Sequence, residues 1–168
     1  MRGLIAMTGA LAFAFGAAEA QKYGTEAGAA PAGGGIGAHD PAGLVAAIQG
    51  LGYRASLGTD DAGTPKIESA GDGINYTIYF YGCEGGLGCD SLLFVAGFDL
   101  AAGAPPGSIE GWNEGQIMGT AYADANGDPF ISYHVITTGG LRPETFAAVW
   151  EEWRGTAYRF AEATGFFQ

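Results

Sequence analysis

The sequence predicts an α+β fold: a twisted antiparallel sheet of five or six strands, with an N-terminal helix, a short middle helix and a long C-terminal helix. Three observations predict it. Short runs of β-branched, aromatic and alternating residues lie at residues 53–57, 66–70, 75–82, 91–98, 119–123 and 130–137. Clusters of Gly, Asp, Asn and Pro separate them. Helix and strand patterns are segregated rather than strictly alternating, which speaks for α+β and against a doubly wound parallel sheet.

Composition limits the function classes. Gly (31) and Pro (7) in 168 residues fall just below the roughly 25–30 % of low-complexity chains. A hydrophobic fraction of 48 % with only 15 % charged residues nevertheless argues for a folded chain, and the length suits one domain. The net charge of −11 repels a phosphate backbone or an anionic membrane. After residue 38 the basic residues are only Arg54, Lys66, Arg142, Arg154 and Arg159, too few and too scattered for nucleic acid.

Residues 1–20 read as a secretory signal. Arg2 precedes an apolar run over residues 4–18, and Ala18-Glu19-Ala20 offers small residues for cleavage after Ala20. The run is shorter than the roughly 20 residues needed to span hydrocarbon, so no stable membrane anchor is expected after cleavage, and the protein is expected in the periplasm or outside the cell. Residues 21–38 form a Gly/Ala linker with too little apolar surface to offset its ordering entropy, so disorder is expected there. A single folded unit follows over residues 39–168.

Asp40 and Pro41 open the first helix as capping carboxylate and first-turn proline, Leu44, Val45, Ile48 and Leu51 share its apolar face, and Gly52 stops it. Two short strands follow, around the turn at residues 59–65. Residues 75–82 make the strongest strand: Tyr76, Ile78 and Phe80 face one side, Thr77, Tyr79 and Tyr81 the other. In the strand over residues 91–98, Leu92, Phe94, Ala96 and Phe98 alternate with Leu93, Val95 and Gly97. Both strands are apolar on both sides, so both sheet faces are expected to be covered, by helices or by another subunit. Ser108 is expected to cap a short helix to about residue 118, anchored by Ile109 and Trp112. A hairpin turns over residues 124–129. Pro143 and Glu144 start the last helix, with Phe146, Trp150, Trp153, Ala157, Phe160 and Ala161 as its buried stripe.

Cys83 and Cys89 are the two cysteines, and an exported chain meets an oxidising compartment. They flank a five-residue Gly-rich loop, so a disulfide stapling a hairpin end is expected, worth about 2 kcal/mol in the chain-entropy model. A metal pair would need two further ligands, and only His39 and His134 are at hand. Asp60, Gly63, Pro65 and Ile67 recur 64 residues later as Asp124, Gly127, Pro129 and Ile131, either because turns reuse these residue types or because a helix–strand–strand unit is repeated.

Catalytic and cofactor signals are missing from the sequence pattern. Asp124, Asn126 and Asp128 start like a calcium loop, but Pro129 replaces its glycine and Val135 its last glutamate. No Walker loop, dinucleotide fingerprint or nucleophile elbow is present, and His134 lacks a Ser or Cys partner in a known arrangement. No enzyme activity, cofactor or metal is therefore expected. The residues named for a partner or dimer surface are Tyr76, Ile78, Tyr79, Tyr81, Leu93, Val95 and Trp112. The alternative is a small-ligand pocket, or an unrecognised enzyme site, lined by Tyr76, Tyr79, Tyr81 and Trp112 with an Asp or Glu as its polar group.

Several segments in order carry a family resemblance: Asn75-Tyr76-Thr77-Ile78-Tyr79-Phe80-Tyr81; Ser91-Leu92-Leu93-Phe94 ending in Gly97-Phe98-Asp99; Trp112-Asn113; Gly119-Thr120-Ala121-Tyr122 with the turn at residues 124–129; and the last helix with Trp150 and Trp153. Together they resemble the YbjN domain family over about residues 40–160. One departure is that Glu114, Gly115 and Gln116 follow the Trp-Asn pair where many members carry basic residues. The resemblance implies a fold similar to type III secretion chaperones, often paired into dimers, and a non-enzymatic regulatory or sensory role. It brings no catalytic residues. The combined expectation is an exported, non-catalytic protein-binding module of the bacterial envelope, chaperone-like or regulatory, with an unidentified protein partner and a homodimer as one expected assembly.

Overall fold

The computed structural model describes residues 34–168 except Leu87. The expected signal segment and most of the expected linker lie outside the described residues. In chain order the elements are α1 (Pro41–Gly50), β1 (Arg54–Thr59), β2 (Pro65–Gly71), β3 (Ile74–Tyr81), β4 (Ser91–Gly97), α2 (Ser108–Gly115), β5 (Thr120–Ala123), β6 (Pro129–Ile136) and α3 (Pro143–Thr164). The strands form one six-stranded sheet in the order β1-β2-β3-β4-β6-β5, antiparallel throughout. This is the α+β arrangement the sequence predicts.

The period-two pattern decides which side of each strand meets the helices. Ile67, Ile78, Phe94 and Tyr133 lie opposite one another in register, with Ser69 beside Tyr76 and Phe80 beside Leu92. Against them α3 lays Phe146, Trp150, Trp153, Ala157, Phe160 and Ala161, all buried. The Tyr76 ring meets Trp150 and Trp153 edge-on at 5.9 and 5.6 Å, and Trp112 of α2 meets Phe160 at 5.1 Å. Such edge-to-face pairs add to the burial term, and truncating an aromatic here to Ala costs about 3–5 kcal/mol.

α1 forms as its sequence dictates. The Asp40 carboxylate accepts from the Gly43 N–H at 2.9 Å, Pro41 opens the first turn, and Leu44 and Ile48 are buried. Leu51 falls one residue past the last turn and is exposed. α2 differs from expectation at both ends. Gly107, not Ser108, is its N-cap, and Ser108 donates to the Pro105 carbonyl instead at 2.7 Å. The helix stops at Gly115 because Gln116 is extended, which brings the chain back so that the Trp112 indole N–H reaches the Gly119 carbonyl at 3.2 Å. Ile117 is left fully exposed on this connection.

The folded unit takes in residues ahead of His39. Ile36 pairs with Leu141, and the buried Ala38 donates its N–H to Thr137 Oγ1 at 2.9 Å. Cys83 and Cys89 are joined in a disulfide across the β3–β4 connection. The two related turns are built alike. Asp60 Oδ1 accepts from Ala62 and Thr64 N–H at 2.9 and 2.8 Å; Asp124 Oδ1 accepts from Asn126 and Asp128 N–H at 2.8 and 2.9 Å. Each turn carries a left-handed glycine, Gly63 and Gly127. The hairpins they close, β1–β2 and β5–β6, occupy the two opposite edges of the sheet, each preceded by its helix.

Candidate binding surface

All three helices bury their side chains against one sheet face, so the other face has no helical cover. Helices thus supply the expected cover on one face of β3 and β4 only. The open face carries Arg54 and Ser56 of β1, Lys66 and Glu68 of β2, and Asn75, Thr77, Tyr79 and Tyr81 of β3. Beyond them come Leu93 and Val95 of β4, Phe130, Ser132, His134 and Ile136 of β6, and Thr120 and Tyr122 of β5.

The register divides this face into two halves. Over β3, β4 and β6, Tyr79 lies beside Leu93, Thr77 beside Val95, and Tyr81 beside Ser91, whose other neighbour is Ile136. Tyr81 is 50 % exposed, Tyr122 40 % and Ile136 70 %, large values for residues of these types. Tyr122 stacks on Phe130 with ring centroids 5.5 Å apart. Burial pushes the Tyr122 hydroxyl pKa up, and the phenols of Tyr79 and Tyr81 push it further. Gly97 is opposite Phe130, and a Cβ there would collide with the Phe130 ring. The missing side chain lets the aromatic ring lie flat over the strand. The other half is polar: Arg54, Ser56, Glu68, Asn75 and Thr77 border a hollow of about 620 Å³. Lys66 and Glu68 form an ion pair at 3.2 Å.

Glu68 is the one carboxylate among these open-face strand residues, in a chain with 18 Asp and Glu. The face is thus the weakly charged side of a strongly acidic protein. With Glu68 as its one carboxylate, the face brings together no pair of carboxylates among the described residues. Among the described residues, no three His, Cys, Asp or Glu side chains are placed to hold a metal ion. Its chemistry is that of an amphipathic contact area, apolar and aromatic with hydroxyl rims.

The residues singled out from the sequence divide between the two faces. Tyr79, Tyr81, Leu93 and Val95 share the open face. Tyr76, Ile78 and Trp112 are 1 %, 0 % and 6 % exposed and belong to the helix-side core, which corrects their assignment to a contact surface. Strand alternation is the reason: Tyr76 and Ile78 cannot point with Tyr79 and Tyr81. For the same reason the imagined pocket of Tyr76, Tyr79, Tyr81 and Trp112 does not form. Tyr76 donates its hydroxyl to the Gly71 carbonyl at 3.1 Å, and burial, reinforced by Asp72, pushes its pKa up to about 12.

Three residues with defined tasks were not singled out. Asn113 holds the outer edge of β5: its Nδ2 donates to the Ala121 carbonyl at 3.0 Å, and its Oδ1 accepts from the Ala121 N–H at 2.9 Å. Arg154 of α3 bonds Asp72 in the β2–β3 turn at 3.0 Å through Nε, bonds Glu151 at 2.7 Å, and lies 4.3 Å over the Tyr53 ring. Phe130 completes the aromatic half of the open face. The Trp112-Asn113 pair was visible as a motif; only the fold shows that Trp112 docks α2 and Asn113 caps a strand edge.

The YbjN family, described as "Putative bacterial sensory transduction regulator", matches residues 40–166. The chain belongs to the YbjN family. A YbjN structure supports the fold: the chain is similar to the crystal structure of "YbjN, a putative transcription regulator from E. coli", with a TM-score of 0.52 and 15 % identity. The similarity covers 76 % of this chain and 95 % of that one. No curated protein matches the chain. At that identity the YbjN likeness extends to the fold, whereas the side chains of the open face are this chain's own.

Proposed function

We propose that this YbjN-family protein is an exported, non-catalytic regulator of the bacterial cell envelope that acts by binding another protein through its open sheet face. The observation that carries this reading is the aromatic and apolar half of that face, Tyr79, Tyr81, Leu93, Val95, Tyr122, Phe130 and Ile136, left without a helix over it. Rigid aromatics with hydroxyl tips suit protein contacts, since they bury much area at a small entropy cost. The family description as a sensory transduction regulator agrees with a binding role. Export rests on the signal-like residues 1–20 and agrees with the Cys83–Cys89 disulfide.

The test is photo-crosslinking in the periplasm from a probe at Leu93, with a probe at the helix-side surface residue Glu151 as control. A discrete envelope protein crosslinked from Leu93 and not from Glu151 is the expected result. Crosslinks from both positions alike, or from neither, would remove the open face as a binding surface. N-terminal sequencing of the exported protein should begin at Gln21, and retention of residues 1–20 would overturn the signal reading.

A further inference from the structure

The polar half of the open face holds a positive charge without a counterpart. Among the described residues the Arg and Lys side chains are Arg54, Lys66, Arg142, Arg154 and Arg159. All but Arg54 pair with carboxylates: Lys66 with Glu68, Arg142 with Glu144, Arg154 with Asp72 and Glu151, and Arg159 with Glu152. Arg54 makes no ion pair among the described residues, in a chain with 18 Asp and Glu. The register sets it opposite Ala70, so Glu68 is its diagonal neighbour on β2. Such neighbours lie about 7–8 Å apart, within reach of long side chains. Glu68 instead turns to Lys66, which takes its Oε1 at 3.2 Å and leaves Oε2. A guanidinium and a carboxylate oxygen thus border one hollow without closing on each other.

Small residues make the floor of that hollow. Ala70 stands between Arg54 and Asn75 in register, and its methyl group leaves room over β2. In the next row Glu68 stands between Ser56 and Thr77. The volume of about 620 Å³ falls within the roughly 300–1,000 Å³ of small-molecule sites. A second hollow of about 310 Å³ shares Arg54 and Asn75 as its border and runs past Ala70 to Gly71 and Gly73. The Asn75 amide and the Thr77 hydroxyl make no side-chain hydrogen bond among the described residues, so both are available to a ligand.

We propose that this hollow binds a free α-amino acid with a neutral side chain, its carboxylate on Arg54 and Asn75 and its ammonium on Glu68. The arrangement of charges selects this class. The Arg54 fork matches a carboxylate, and the Asn75 amide donates beside it. Glu68 Oε2 and the hydroxyls of Ser56 and Thr77 accept from an ammonium. A ligand with a carboxylate alone would face Glu68 and a net charge of −11. One with an ammonium alone would face Arg54. A zwitterion satisfies both groups and carries no net charge. Its side chain then lies over Ala70 toward Gly71 and Gly73, where Arg54 is the one charged residue on the border. The site uses none of the aromatic-half residues proposed for protein binding, so neither reading depends on the other.

The test is a titration of the isotope-labelled protein with glycine, L-leucine and L-glutamine, read as amide shifts in nuclear magnetic resonance spectra. At least one of the three should give saturable shifts at Arg54, Ser56, Glu68, Asn75 and Thr77, in the millimolar range that suits so open a site. The N-acetyl and amide forms of that amino acid each lack one charge and should bind about fivefold more weakly or worse. Arg54→Gln should abolish the shifts, while Arg142→Gln, which alters an exposed arginine on the last helix's start, should keep them. Glu68→Gln should narrow the preference for the free amino acid over its N-acetyl form. Unchanged circular dichroism spectra show that the variants fold. No saturable shift with any of the three, shifts away from these residues, equal binding of the N-acetyl form, or binding that survives Arg54→Gln would overturn the proposal.

Discussion

Tyr76 illustrates how burial sets the behaviour of one residue. Its ordinary pKa is 10.0 and in the fold it is about 12, first because burial disfavours the phenolate and then because Asp72 repels it. The unfolded chain releases this proton near pH 10, while the folded chain retains it to about pH 12. Full stability from this group is therefore present below pH 10 and declines as pH rises to 12. Tyr76→Phe should lose about 1 kcal/mol at neutral pH with its bond to Gly71, yet decline less between pH 10 and 12. Melting temperatures over that range are the check, and parallel curves for both proteins would refute it. Arg154 makes a second residue-scale case. It joins α3 to the β2–β3 turn through Asp72 and covers Tyr53, with its side chain 13 % exposed. Arg154→Ala should cost about 1–3 kcal/mol in denaturant unfolding, since it strands Asp72 and uncovers an aromatic ring; a change within a few tenths of a kcal/mol would mean the network is solvent-screened.

Edges and connections set the predictions for elements. Asn113→Ala removes both bonds from Ala121 and leaves β5 with an open edge. A loss of about 1–2 kcal/mol is expected, together with faster amide exchange at Ala121; unchanged exchange there would show that water replaces the cap without cost. Replacing Cys83 and Cys89 together by Ser should lower stability by about 2 kcal/mol relative to the oxidised wild-type protein, and the reduced wild type should match the variant. The loss belongs to the β3–β4 connection, so α3 should be no more exposed to protease than before. A reduced wild type as stable as the oxidised one would assign the disulfide no thermodynamic role.

Across the whole molecule, a sheet covered on one face distributes tolerance unequally. Trp153→Ala in the core should cost about 3–5 kcal/mol. Tyr81→Ala on the open face should change stability by less than about 1 kcal/mol, because half of that ring already meets solvent. Equal losses in thermal unfolding would mean that the open face carries part of the core. The acidic surface and the nearly carboxylate-free sheet face also make salt informative. Contacts through the aromatic half should be insensitive to ionic strength.

The sequence by itself determined the elements and the layer they form. Pro41 and Pro143 mark helix starts, Asp60 and Asp124 mark tight turns, and the stripe from Phe146 to Ala161 announces a helix packed on a sheet. These signals are local, carried by backbone preferences and by periods of two and 3.6, so they survive without knowledge of the fold. The end of α2 was not legible, because Gln116 turns extended only when Trp112 must reach Gly119. Tertiary structure alone decided which apolar strand face is left bare. In the sequence Tyr76 and Tyr79 look equally suited to a contact surface, and their fates part only because the three helices gather on one side. It also decided that Asn113 closes the outer edge of β5. Edge and face are relations between segments far apart in the chain, and no local pattern encodes them.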